Sequence, residues 1–247
     1  MRDVEVGSDG ERMRYVEFPG RASACVFLHG LGASSPAYFA RVAADPALAG
    51  RRRLMPDFLG FGLSDRPARF GYGLRDHALC LARALDALGV SEADVVGHSM
   101  GGAIAIILAS QRPDLVRRLV LAEPSLTPSR RTRVEGHTEE SFAGVGLAEA
   151  LAAVGPHWAA TMRLADPLAL YRGERALGDA MEPGIAEMLL GLSLPRTLIM
   201  GDRTPISAAG QTMVAAGIPL IRIAHAGHNM MLDNPTEFVA ALVKVLR

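Results

Sequence analysis

The 247-residue chain is 49% hydrophobic and balances 26 basic against 26 acidic residues. That is enough apolar material for one sizeable core, and the even charge excludes the cationic face that gains affinity by displacing counterions from nucleic acid. No apolar run is long enough to span a bilayer, and the charged amino terminus MRDVEVGSDGER lacks the apolar core of a secretory signal, so a cytoplasmic protein is expected. Cys25 falls in an apolar strand and Cys80 on a helix, without ligand spacing, and both read as buried free thiols.

In chain order, VEV and RMRYVEF flank an Asp9-Gly10 turn signal and predict a hairpin. Short apolar runs then follow one another: ACVFLHG, RRLMPD, ADVVGHS, RRLVLAE, PRTLIMGD and PLIRIAHAGH. They alternate with helical patterns such as LRDHALCLARALDALG, MGGAIAIILASQRP and PTEFVAALVKVLR. This alternation predicts an α/β fold with a mostly parallel central sheet and helices on both faces. Between about Pro124 and Leu194 no strand pattern appears, only Ala, Leu, Met and Gly at helical spacing broken by prolines. The expected organisation is therefore a core in two parts, 1–124 and 194–247, with a helical cap inserted at 125–193. A cap entering after one strand and leaving into the next lies over the carboxyl ends of the sheet, where open α/β folds bind ligands. At the carboxyl end, Asn234 with Pro235 predicts a helix start.

Within ADVVGHSMGG, Gly97-His98-Ser99-Met100-Gly101 fits G-x-S-x-G between a strand and a helix, the context of a nucleophile elbow. A strained turn lifts the serine hydroxyl into a cleft, and small neighbours let strand and helix pass closely. A serine hydroxyl needs a base. Of seven histidines, His228 in HAGHNMMLDNP follows the last predicted strand, at the same sheet end as Ser99, and is the candidate. His98 is expected to pack beneath the elbow, while His77, His137 and His157 have no assignable partner. His225 and His228 find no third ligand at useful spacing, so no metal is expected. Attack by serine creates a negative tetrahedral oxygen. In LHGLGASS the backbone N–H of Leu31, together with that of Met100, is the candidate pair of donors. The G-x-G at Gly60 to Gly62 lacks the wider dinucleotide pattern, so no cofactor is expected.

Taken together, His29-Gly30-Leu31-Gly32, Asp57-x-x-Gly60-x-Gly62-x-Ser64-Asp65, Gly97-x-Ser99-x-Gly101 and Gly227-His228 resemble the α/β-hydrolase superfamily over essentially the whole chain outside the cap. The resemblance implies the fold, acyl-enzyme chemistry, an active site roofed by the cap and an architectural role for the loop at Asp57 to Ser64. It departs at the acid of the triad. Many members carry it three residues after the glycine closing the penultimate strand, here Gly201, and that slot holds Thr204. Three explanations stay open: Asp202 acts from two residues earlier, the enzyme works with a dyad, or the acid comes from elsewhere. The preferred elsewhere is Glu123, which ends the strand after the elbow helix at the same rim.

Apolar cap residues, among them Phe142, Trp158, Met162, Leu170 and Met181, are expected to be mostly cap core, leaving an apolar pocket for a small-molecule hydrophobic substrate. The run Arg130, Arg131 and Arg133 either greets an acidic substrate or forms a solvated face with Glu135, Glu139 and Glu140. The expected activity is hydrolysis of a hydrophobic carboxylic ester, thioester or lactone. The alternatives are carbon–carbon bond hydrolysis, lyase or cyclase chemistry in the same cleft, and a noncatalytic ligand-binding protein. A dehalogenase is disfavoured by serine at the elbow. Oligomeric state is not legible.

Overall fold

A computed structural model describes residues 1–129 and 133–247. Its sheet has eight strands in the order β1-β2-β4-β3-β5-β6-β7-β8: β1 Arg2–Glu5, β2 Arg12–Phe18, β3 Ala22–Leu28, β4 Arg51–Pro56, β5 Ala93–His98, β6 Val116–Ala122, β7 Arg196–Gly201 and β8 Leu220–Ile223. The hairpin β1–β2 and the pairing of β2 with β4 are antiparallel, and every pairing from β4 through β8 is parallel. The α/β class with a mostly parallel sheet is thus the fold of this chain.

Helices α1 (Ser35–Ala43), α2 (Leu74–Ala87) and α3 (Met100–Gln111) connect the first parallel strands. Between β6 and β7 the described residues form α4 (Glu139–Ser141), a π-turn at Phe142–Gly146, then α5 (Leu147–Ala153), α6 (Pro156–Met162), α7 (Pro167–Gly178) and α8 (Ile185–Gly191). After β7 come α9 (Ala208–Ala215), α10 (Met230–Asp233) and α11 (Pro235–Leu246). The last opens as its sequence predicts, with the Asn234 side chain accepting from Glu237 N–H and proline in the first turn. Two apolar cores flank the sheet, one built with α2, α3 and α8, the other with α1 and α11. Helix α3 is buried from Met100 to Ala109, apolar all round because sheet and helices enclose it. Burying each of Ile104, Ile106 and Ile107 contributes roughly 1.5–3 kcal/mol.

Strand order places the site. From β3 the chain moves outward through α1 to β4, then crosses back through α2 to β5 on the other side of β3. The ends of β3 and β5 therefore diverge into opposite connections, leaving a crevice at the switch point. Registered pairs Leu28↔Gly97 and His98↔Ala122 bring the residues after β3, β5 and β6 side by side on that rim.

Candidate active site

Ser99 joins β5 to α3 with φ 52° and ψ −118°, a left-handed conformation that costs a non-glycine residue on the order of 1–3 kcal/mol. The surroundings impose it. Ser99 N–H donates to Ala122 O at 3.0 Å, while Ser99 O accepts from Gly102 and Ser125 N–H at 3.0 and 3.1 Å. A Cβ on Gly97 would sit 2.6 Å from Gly101 O, and one on Gly101 would sit 2.5 Å from His29 O. Strand, helix and the β3 loop could not close around the serine with larger residues there.

His228 lies in the turn after β8, and its Nδ1 is 2.7 Å from Glu123 Oε2. With Nδ1–H donating to the carboxylate, Nε2 is left as the basic nitrogen. Glu123 has φ 43°, also left-handed, and the other oxygen of its carboxylate, Oε1, accepts from Gly201 N–H at 3.0 Å. Burial alone pushes this carboxyl up, but the hydrogen bond and charge of His228, Gly201 N–H and the Thr204 hydroxyl outweigh it and hold it below the ordinary glutamate value. Threonine in the expected acid slot thus lies beside a carboxylate on the neighbouring strand and helps hold it ionised. Gly201 also clears the way for the loop carrying His228, since a Cβ there would fall 2.3 Å from Ala226 O.

Asp202 does not reach His228. Its two oxygens accept from His225 N–H at 2.9 Å and Ala226 N–H at 3.1 Å, capping the turn that precedes His228.

Four other histidines are structural in their contacts. His98, buried as expected, has Nε2 at 2.9 Å from His228 O, and the two rings lie 4.6 Å apart. Burial, with the nearby His228, keeps its pKa well below the usual histidine value, so its Nε2–H donates to that carbonyl. His29 donates from Nδ1 to Gly30 O and accepts Phe58 N–H at Nε2, bracing the loop after β3. His77 is fully buried among Phe58, Phe61, Phe70 and Tyr72 with neither nitrogen paired among the described residues, and burial lowers its pKa to about 3. His137, whose partner the sequence does not assign, stands 3.2 Å from Glu149.

Met100 is the first residue of α3, where the helix offers its N–H no acceptor. The Leu31 N–H makes no backbone hydrogen bond among the described residues. Asp57 accepts from Ser35 and Leu63 N–H, and Ser64 donates to Asp57 O, so the Asp57 loop is held by its own contacts and lies outside the cavity.

A cavity of about 460 Å³ is lined by Ser99, His228, Leu31, Leu126, Trp158 and Leu177 among others. Its wall is less apolar than expected. Arg133 and the buried carboxylate of Glu174 form an ion pair there, and the Arg133 guanidinium lies 4.3 Å from the centre of the Trp158 ring. Of the two expectations for the basic run, an acidic substrate or a solvated face with Glu135, Glu139 and Glu140, the second does not hold for Arg133, which lines the cavity and pairs with Glu174 of α7, while Glu139 pairs with Arg172 at 2.7 Å. Arg130 and Arg131 lie outside the described residues. Of the apolar residues assigned to the cap, Trp158 lines this cavity, while Phe142, Met162 and Leu170 are buried in the larger core. A larger depression of about 720 Å³, bordered by Arg118, Arg196 and Lys244, carries no histidine or carboxylate. Among the described residues no group of three or more His, Cys, Asp or Glu is disposed to hold a metal ion, and no helix is long and apolar enough to cross a membrane.

Comparison with known proteins is consistent with this architecture. The chain is 40% identical over 105 residues to 2-hydroxymuconate semialdehyde hydrolase of Pseudomonas putida, a stretch covering 41% of this chain and 36% of that protein. The match therefore spans about a third of the relative's length. Among solved structures, a thermophilic esterase from Thermogutta terrifontis superposes with a TM-score of 0.81 at 20% identity, covering 100% of this chain and 98% of that one. A bromoperoxidase from Bacillus anthracis gives 0.80 at 21%, covering 99% of each. At such identities the likeness shows the fold alone. The family model described as alpha/beta hydrolase fold matches residues 24–188, two thirds of the sequence, and the chain belongs to that family.

Proposed function

We propose that the protein is a serine hydrolase that cleaves a small-to-medium hydrophobic carboxylic ester, thioester or lactone through an acyl-enzyme, with Ser99 as nucleophile, His228 as base and Glu123 as the acid that orients it. The observation that carries the reading is the 2.7 Å contact of His228 Nδ1 with Glu123, beside a strained Ser99 that opens into the same cavity as His228. In this scheme His228 Nε2 takes the Ser99 hydroxyl proton as Oγ bonds to the acyl carbon. The carbonyl π pair moves to oxygen, and the N–H groups of Leu31 and Met100 stabilise that charge. The pair returns, the carbon–alkoxide bond breaks, and His228 gives its proton to the leaving alcohol. Water then repeats the sequence on the acyl-enzyme, releasing the acid and Ser99. Glu123 stays ionised throughout, stabilising the imidazolium.

The inserted helices act as the cap, and a cavity of this size suits a ligand of modest size. Hydrolysis of p-nitrophenyl esters together with fluorophosphonate labelling at Ser99 tests the proposal, and both are expected to vanish in Ser99→Ala. A wild-type protein that neither labels nor turns over, yet binds a ligand in the cavity, would replace the enzyme with a binding protein.

The likeness to 2-hydroxymuconate semialdehyde hydrolase favours one second reading, hydrolysis of a carbon–carbon bond beside a carbonyl group in the same cleft. Turnover of a vinylogous 1,5-diketone acid at least a hundredfold faster than of any aryl ester would select it.

A further inference from the structure

The Leu31 N–H, a donor in the proposed mechanism, sits between two glycines, Gly30 and Gly32, which give the loop little conformational preference of its own. The peptide that carries it is held on one side through Gly30 O, which accepts from His29 Nδ1 at 2.7 Å and from Ala33 N–H at 3.1 Å; the other side of Leu31 needs an anchor of its own, because a donor helps only if it is already aimed when charge develops. Three contacts from the inserted helices converge on this point. The Trp158 indole Nε1–H of α6 donates to Leu31 O at 2.8 Å, across 127 positions of sequence. The Leu31 side chain lies against the backbone of α7, where a Cβ on Gly173 would fall 2.6 Å from Leu31 Cδ1. Gly32, at φ +66°, is covered so closely that a Cβ there would meet Trp158 Nε1 at 3.1 Å and Leu170 and Met162 at 3.2 Å each. Trp158 is itself held by the Arg133 guanidinium on its ring and, through Arg133, by the buried Glu174.

We infer that Trp158 is a positioning residue: its indole N–H pins the Leu31–Gly32 peptide and so, together with the bonds at Gly30 O, completes the aim of the oxyanion donor from the side of the inserted helices. The inference rests on the ester-hydrolase reading, and its effect falls on the charged tetrahedral state rather than on the neutral substrate. Losing a whole oxyanion donor lowers kcat by about 10²–10³-fold; loosening one is expected to cost about tenfold.

The test uses two replacements at the chain's single tryptophan. Trp158→Phe removes the donor and keeps an aromatic ring for Arg133. Benzothienylalanine placed at position 158 keeps the full bicyclic shape without the N–H, so a folding defect of the first variant does not end the experiment. In at least the isosteric variant, kcat is expected to fall about tenfold with KM changed by less than about threefold. The affinity of an aryl trifluoromethyl ketone, whose adduct with Ser99 carries the oxyanion, should fall by the same factor, while binding of the corresponding neutral alcohol stays unchanged. A folded isosteric variant with wild-type kcat and ketone affinity overturns the inference, as does a loss confined to KM. If wild-type protein neither labels with fluorophosphonate nor hydrolyses esters, the underlying reading fails first and this one with it. If wild type is active and the isosteric variant equals it, only the positioning role is lost.

Discussion

The ends of β6 and β7 lie side by side in the sheet, and each carries an acidic residue just past the last strand position, Glu123 on one and Asp202 on the other. Their carboxylates do different work. Glu123 is turned by its left-handed backbone toward the turn after β8 and meets the His228 imidazole. Asp202 spends both oxygens on the backbone of that same turn, at His225 and Ala226. One carboxylate thus faces the proposed base and the other holds the loop that presents it. A strand-end carboxylate has no role until the direction of its backbone and the demands of neighbouring N–H groups are known.

The sharpest way to break this comparison is Glu123→Gln, expected to lower kcat/KM for an aryl ester by about 10³–10⁴-fold with little change in fold, because an amide neither fixes the His228 tautomer nor stabilises its cation. A loss below tenfold would leave the work to a dyad or to Asp202. The next largest effect moves the acid between the strands. Since Thr204 and Glu123 line the same small pocket, the double variant Glu123→Ala/Thr204→Asp is expected to recover about ten- to a hundredfold of the loss shown by Glu123→Ala alone, read as kcat/KM. No recovery would mean that position 204 cannot aim a carboxylate at His228.

Thr204→Val should act more mildly. It removes one of the donors that hold the Glu123 carboxyl below its ordinary value, so Glu123 protonates at higher pH. A group with a lowered folded pKa contributes stability above its unfolded value, and that contribution is lost as pH falls through the folded one. The variant is therefore expected to lose thermal stability earlier on acidification than wild type, with a few-fold fall in kcat/KM near neutrality. The smallest catalytic effect belongs to Asp202→Asn, within about twofold in kcat/KM. The His225 N–H bond to the Asp202 carboxylate lowers its pKa, so a fall in Tm should be visible near neutral pH and vanish once acidification protonates Asp202 in wild type. A catalytic loss matching that of Glu123→Gln would reverse the roles given to the two strand ends.

Much of the scaffold was legible because it depends on local chemistry. The hairpin around Asp9-Gly10, the parallel strands and helices α2, α3 and α11 stand where periodicity and turn residues put them. Helices α1 and α9 carry weaker local signals. The first starts at Ser35, at the end of the glycine-rich stretch LHGLGASS, with Ser34 at its N-cap position and Pro36 in its first turn as the usable signal. The second is short, opening on a Ser207 cap. Strand β8 ends at Ile223, sooner than its apolar run suggested, because the chain turns to meet Asp202.

The glycine-bounded turns, the elbow serine and a histidine after the last strand are legible locally, because steric need at a tight turn is written within a few residues. That Glu123, 105 positions away, meets His228, with Thr204 beside it, and that Arg133 pairs with Glu174 against Trp158 comes from packing across the fold. Those choices follow from strand register and from how the inserted helices settle on the rim. Contacts between side chains distant along the chain obey the geometry of packed surfaces, and no local pattern of residues encodes that geometry.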